Sequence, residues 1–174
     1  MSQRLAFMTV VVMHEPFGHP RVQGFLDRLD SVYAMAAATP GFIARSVRDF
    51  SNHTHSWGEI LAPKCLQNPP IDRIASTLST WENLESVAAY AYSGLHGESM
   101  KLRREWFEER DVPTYVAWWV GEEDEVNWDE ATKRLDSLHE NGSTPYGFNF
   151  SSPFDSAGQP TKLDSAQVKA KSHK

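Results

Sequence analysis

A single cysteine, Cys65, stands among 174 residues. One thiol excludes an intramolecular disulfide and a thiolate metal cluster, and it fits a reducing compartment. Long apolar runs are missing too. The stretch LAFMTVVVM at residues 5–13 falls well short of the ~20 residues that a membrane helix needs. It lacks a small-residue cleavage site, and His14-Glu15-Pro16 follows at once, so it does not read as a signal peptide. Basic charge is scarce: 17 Lys and Arg face 23 Asp and Glu, for a net charge of −6. An acidic chain has no global field to hold a polyanion, so nucleic-acid binding is not expected. No Gly-rich phosphate loop, dinucleotide fingerprint or G-x-S-x-G elbow occurs. These absences describe a soluble, cytoplasmic protein with no membrane or nucleic-acid partner.

Aromatic residues are plentiful, at 11% of the chain, with six Trp and nine Phe. Tryptophan is bulky and carries an N–H, so an excess marks cavity walls and interfaces as well as cores. The length suits one domain with a single core, over residues 1–154. Residues 5–13 read as a strand buried on both faces. Pro20 then stands at a helix start, and Val22, Phe25, Leu26, Leu29, Val32, Tyr33 and Ala36 recur at helical spacing to a stop at Thr39-Pro40-Gly41. Residues 42–50 and 74–81 read as strands. Between them, residues 51–72 form an irregular insertion of the length usually kept for lids or binding loops. Leu84, Val87, Ala88, Ala91 and Leu95 define a helix interrupted at Ser93-Gly94, and a second piece spans residues 98–109. Residues 114–120 (TYVAWWV) form a strand apolar on both sides. Asn127 and Glu130 make a capping box for a helix that ends at Asn141-Gly142. Tyr146, Phe148 and Phe150 alternate as a last short strand, and residues 155–174, poor in apolar side chains, read as a disordered tail. The order βαββαβ followed by αβ predicts an α+β fold: a ferredoxin-like antiparallel sheet with helices on one face. The second apolar face of such a sheet calls for cover by another copy, hence a homodimer.

The run Trp81-Glu82 through Tyr92-Ser93, Leu95-His96, Met100 and Arg103-Arg104-Glu105-Trp106-Phe107 resembles the uncharacterised DUF3291 family of the dimeric α/β-barrel superfamily. So do the pair Trp118-Trp119 and the end Gly142-Ser143-Thr144-Pro145-Tyr146-Gly147-Phe148-Asn149-Phe150, where Ser143 replaces a proline. The likeness covers residues 5–150. Gly97 follows His96 where the family commonly has Arg, which removes a cation beside the histidine. Relatives by fold include cofactor-free monooxygenases of the antibiotic-biosynthesis type, polyketide cyclases, haem-binding and haem-degrading proteins and stress-response barrels. Fold alone licenses none of these activities.

The choice rests on side chains. His96, between a Gly break and an Arg-rich helix, reads either as a general acid or base or as a cap on the preceding helix. Arg103 lies a turn from Met100 and Phe107, and reads as an anion clamp or as one half of an ion pair. Trp81, Tyr92, Met100, Trp106 and Trp118 are candidate walls for a flat apolar ligand or plain core, and Tyr115 is a candidate hydrogen-bond donor. His53 and His55 have strand spacing but no carboxylate or Cys beside them, so no metal is expected. The resulting expectation is a cofactor-independent enzyme on an apolar small molecule of natural-product type. It would work by cyclisation or isomerisation, with His96, Arg103 and Tyr115 catalytic and the 51–72 segment a partial lid. The alternatives are a cofactor-free monooxygenase and a binding protein for haem or another small ligand, with His96 as axial ligand in the haem case.

Overall fold

A computed structural model of the chain describes residues 2–49, 51–52 and 54–172. Its elements, in chain order, are β1 (Gln3–Val12), α1 (Pro20–Leu26), α2 (Leu29–Ala38), β2 (Phe42–Arg45), the small hairpin β3 (Arg48–Asp49) and β4 (Thr54–His55), β5 (Ile74–Trp81), α3 (Leu84–Tyr92), α4 (Gly94–Trp106), β6 (Tyr115–Gly121), α5 (Trp128–Asn141) and α6 (Ser165–Lys171). The main sheet has the order β2-β5-β1-β6, and every pairing is antiparallel. That is the ferredoxin-like arrangement read from the sequence: the sheet is open, with no closed barrel, and β1 and β5 fill its centre.

Strand alternation sends side chains of β1 to two cores. Leu5 and Phe7 meet Ala36 of α2, Leu84 and Val87 of α3, Trp81, Ala117 and Phe148. Ala6, Met8, Val10 and Val12 meet Ile74, Leu78, Val116 and Trp118 on the opposite face. The sequence reading gave this opposite face to a second copy. The chain covers it unaided: Trp128, Ala131, Leu135 and Leu138 of α5 pack there with Leu66, and Trp57, Ile60 and Ala62 of the insertion complete the cover. Trp128 N–H donates to Trp57 O, which ties the insertion to the start of α5. A second copy approaching this face meets α5 and not bare sheet. The physical reason for a dimer through the sheet is therefore gone. Sedimentation at tens of micromolar should give a mass near 19.7 kDa, whereas twice that mass would reveal an interface elsewhere.

Several boundaries differ from the sequence reading. The helix that starts at Pro20 is two helices, parted at Asp27 and Arg28, where the Arg28 guanidinium turns back to Gly24 O and lies over the Trp106 ring. The apolar spacing runs straight through this break, so it gave no sign of it. The strand expected over residues 42–50 is β2 followed by β3, and Phe50 lies outside the described residues. The insertion holds 3-10 turns at Lys64–Leu66 and Ile71–Arg73. Tyr146, Phe148 and Phe150 form no strand; a single bridge joins Phe148 to Ala117. The expected disordered tail is corrected as well. Asp164 caps α6 through Ala166 N and Gln167 N, Asp164 N–H donates to Glu85 of α3, and Trp119 Nε1 donates to Phe154 O, so polar contacts hold a segment that has few apolar ones. Among the described residues no helix is long and apolar enough to cross a membrane.

The turn into β2 depends on Gly41. Its φ is +91°, its carbonyl accepts from Glu82 N–H, and a Cβ there would collide with Ser86 Oγ. Gly41→Ala combines left-handed backbone strain with overpacking, so it should cost about 2–4 kcal/mol. A lower urea midpoint with an unchanged slope is the expected reading.

Candidate functional site

Tyr92 ends α3, and Ser93 is extended. Gly94, at φ +54°, then lets the chain enter α4 without a connecting loop. This tight junction folds His96 back onto α3. Its Nδ1 lies 2.9 Å from Ala91 O. A carbonyl only accepts, so Nδ1 carries the hydrogen and Nε2 is the basic nitrogen. Burial holds the imidazole below its ordinary pKa, and the bond to Ala91 only partly offsets this. His96 is thus a neutral base at pH 7, and the cap role read from the sequence is also real.

The imidazole rests 4.6 Å from the Tyr90 ring. Tyr90 stacks on Trp81 at 5.3 Å, and Trp81 Nε1 donates to Ser79 Oγ at 2.9 Å. Phe42 meets Trp81 edge-on at 5.1 Å. On the open side of this group the Arg45 guanidinium lies 3.9 Å over the Tyr33 ring, and its Nη1 donates to Ser46 O at 3.2 Å. Burial raises the pKa of Tyr33, against the opposing pull of Arg45. It raises Tyr90 further, with Tyr33 adding to the rise and Arg45 opposing it. Both phenols stay protonated and able to donate. The cluster thus draws Tyr33 from α2, Arg45 from β2, Trp81 from β5, Tyr90 from α3 and His96 from α4. All but Trp81 are half-buried, at the free edge of the sheet.

The other residues singled out in the sequence fall elsewhere. Tyr115 faces the same layer, but its hydroxyl accepts from Phe150 N–H at 3.1 Å and its ring sits between Phe7 and Phe150. Burial pushes its phenol up to about 12. Tyr92, at 60% exposure, touches Phe150 edge-on. Trp106 is buried at the end of α4 against Phe25 and under Arg28. Met100 is 41% exposed. Arg103 is exposed as well, because α4 runs along the surface; the expected anion clamp is not formed. Trp118 is buried on the opposite face of the sheet, with the Arg134 guanidinium 5.2 Å from its ring. It cannot share a wall with Trp81. The 51–72 segment lies on that opposite face too, where its apolar residues are needed as cover, and so it is not a lid over His96.

Of the two insertion histidines, His53 lies outside the described residues, and His55 packs edge-on against Trp128. Among the described residues no three His, Cys, Asp or Glu side chains could share a metal ion. Burial and the neighbouring Asp136 push the Cys65 thiol up to about 12, so it is no nucleophile at neutral pH. Open grooves among the described residues include two on the surface. One of about 430 Å³ is lined by Phe150, Pro153, Phe154 and Leu163, and one of about 490 Å³ by Leu61, Lys64, Asp136 and Glu140. His96 lines neither.

The family model described as Domain of unknown function (DUF3291) matches residues 4–164. A solved structure described as a conserved protein from Methanosarcina mazei Go1 is similar over 68% of this chain and 91% of its own, at 13% identity and a TM-score of 0.42. No curated protein matches.

Proposed function

The chain belongs to the DUF3291 family, whose description assigns no activity, and from that premise we propose that it is a cofactor-independent enzyme on a planar, largely apolar small molecule. The reaction is a proton-transfer isomerisation or the cyclisation that follows from it. One observation carries this reading: a neutral imidazole, fixed as the Nδ1–H tautomer by Ala91 O, packed at a tilt against the Tyr90 ring of a stacked Tyr90–Trp81 pair. A base with those properties takes a proton from carbon without first losing one. The C–H electron pair moves onto the adjacent carbonyl and forms an enolate. The hydroxyls of Tyr90 and Tyr33 supply donors for that oxygen. Return of the proton to another carbon gives the isomer; attack of the enolate carbon on a second carbonyl closes a ring. Holding the substrate flat against aromatic faces contributes the orientation.

The lone thiol and the apolar substrate suit a cytoplasmic setting.

Anthrone, a planar ketone with an acidic C–H, is the test substrate. In D₂O the protein should accelerate deuterium entry at the C–H carbon over buffer, and the acceleration should vanish in His96→Ala. Oxygen uptake in the same vessel would move the reading to a cofactor-free monooxygenase, which shares the deprotonation. Exchange no faster than buffer, or equal in the variant, would contradict the proposal.

A further inference from the structure

Arg45 is half-buried, yet no carboxylate lies within ion-pair distance of it among the described residues. A guanidinium carries five N–H donors. Here one bonds Ser46 O while the flat face covers Tyr33. A cation withdrawn this far from water is normally paired with an anion or holds one from outside. Arg73 and Arg110 both pair with Glu108, and Arg134 pairs with Glu130, while Arg4 and Arg28, also half-buried and outside those ion pairs, donate to the carbonyls of Asp124 and Gly24. Arg45 instead lies close enough to Tyr33 and Tyr90 for its charge to pull down both phenols. It reaches them because of a bulge. Phe42 faces Trp81 and Arg45 faces Ser79, so the extra residue Ile43 brings both side chains to the helix-covered face.

We infer that Arg45 is the anion-recognition residue of the His96 cluster, and that the natural ligand is a planar aromatic compound with a carboxylate or another group of fixed negative charge. The inference rests on the small-molecule reading above and narrows its substrate class. In this arrangement Arg45 holds the anionic group, the Tyr33 and Tyr90 hydroxyls remain for the carbonyl oxygen, and His96 faces the ring and not the charge. Arg45 then sets specificity, while His96 does the proton transfer.

Binding of 2-naphthoate and of neutral 2-naphthamide to the full chain, measured by calorimetry at low ionic strength, tests this. The wild type should bind the acid about 10–100-fold more tightly than the amide, as expected for charge-assisted hydrogen bonds. The preference should shrink as salt is added. Arg45→Gln should lose the preference, the acid losing at least about tenfold more affinity than the amide; Arg45→Lys should keep part of it. If Arg45→Gln melts below the assay temperature, the salt dependence in the wild type and the Lys variant decide. Equal binding of acid and amide in the wild type would overturn the anion role and leave the small-molecule site standing. Failure of both probes to bind would overturn the site and the inference together.

Discussion

Trp128→Ala should lower stability by about 3–5 kcal/mol, the range for removing a large buried aromatic. The side chain is 1% exposed, its Nε1 donates to Ser46 Oγ at 3.1 Å, and its backbone N–H holds Trp57 O. Loss of the indole leaves a void over the β1–β5 face and removes the seat of the His55 ring. Chemical denaturation measures the loss. Sedimentation adds a second reading: with the sheet face part-uncovered, the variant should self-associate where the wild type does not. A cost under 1 kcal/mol would mean that α5 is not the cover for this face.

His96→Ala should slow deuterium exchange into anthrone by about 10²–10⁴-fold, the usual contribution of a placed general base. The stability change should be small, near 1 kcal/mol, because one hydrogen bond to Ala91 O is lost. His96→Gln keeps a donor for that carbonyl but not a base, so it should recover stability and not rate. The pH dependence has a fixed sign. Burial holds the folded pKa below the ordinary value of 6.5. The wild-type rate should therefore be flat through neutrality and fall in acid, as Nε2 takes up a proton, with an apparent pKa below 6.5. Stability follows the same direction. The unfolded chain binds this proton first, so the contribution of His96 is present above the unfolded pKa and is lost as pH falls through the folded one. His96→Gln should flatten that part of the stability profile.

The sheet was legible because its strands announce themselves. Residues 74–81 match β5 end for end, and residues 5–13 and 114–120 match β1 and β6 within two residues. The alternation in TYVAWWV also separates Tyr115 from Trp118, so the wall that placed both on one site was contradicted by a pattern already visible in the sequence. Other features left no trace there. Arg45 reaches the site through a bulge, which cancels the alternation that would send it to the face opposite Phe42. Tyr33 and Tyr90 sit on apolar helix faces, where a tyrosine reads as core; only the tertiary meeting of α2, α3 and β2 brings Arg45 close to both phenols. Arg103 occupies a plausible helical position beside Met100 and Trp106, but α4 packs through its ends and leaves its middle exposed. The cover of the second face was misread because α5 and the insertion are far apart in sequence and meet only in the fold, through Trp57 on Trp128 and through Lys64 and Cys65 on Asp136.

Under the proposed function a planar small molecule binds at Tyr33, Arg45, Tyr90 and His96. An NMR titration of the isotope-labelled chain with 2-naphthol tests it most directly, with side-chain signals of arginine and histidine included. The account predicts saturable shifts at those four residues and at Trp81, with the His96 ring retaining its Nδ1–H tautomer. Shifts confined to the groove at Phe150, Pro153, Phe154 and Leu163 or to the groove over α5, or no saturable shift at His96, would contradict it.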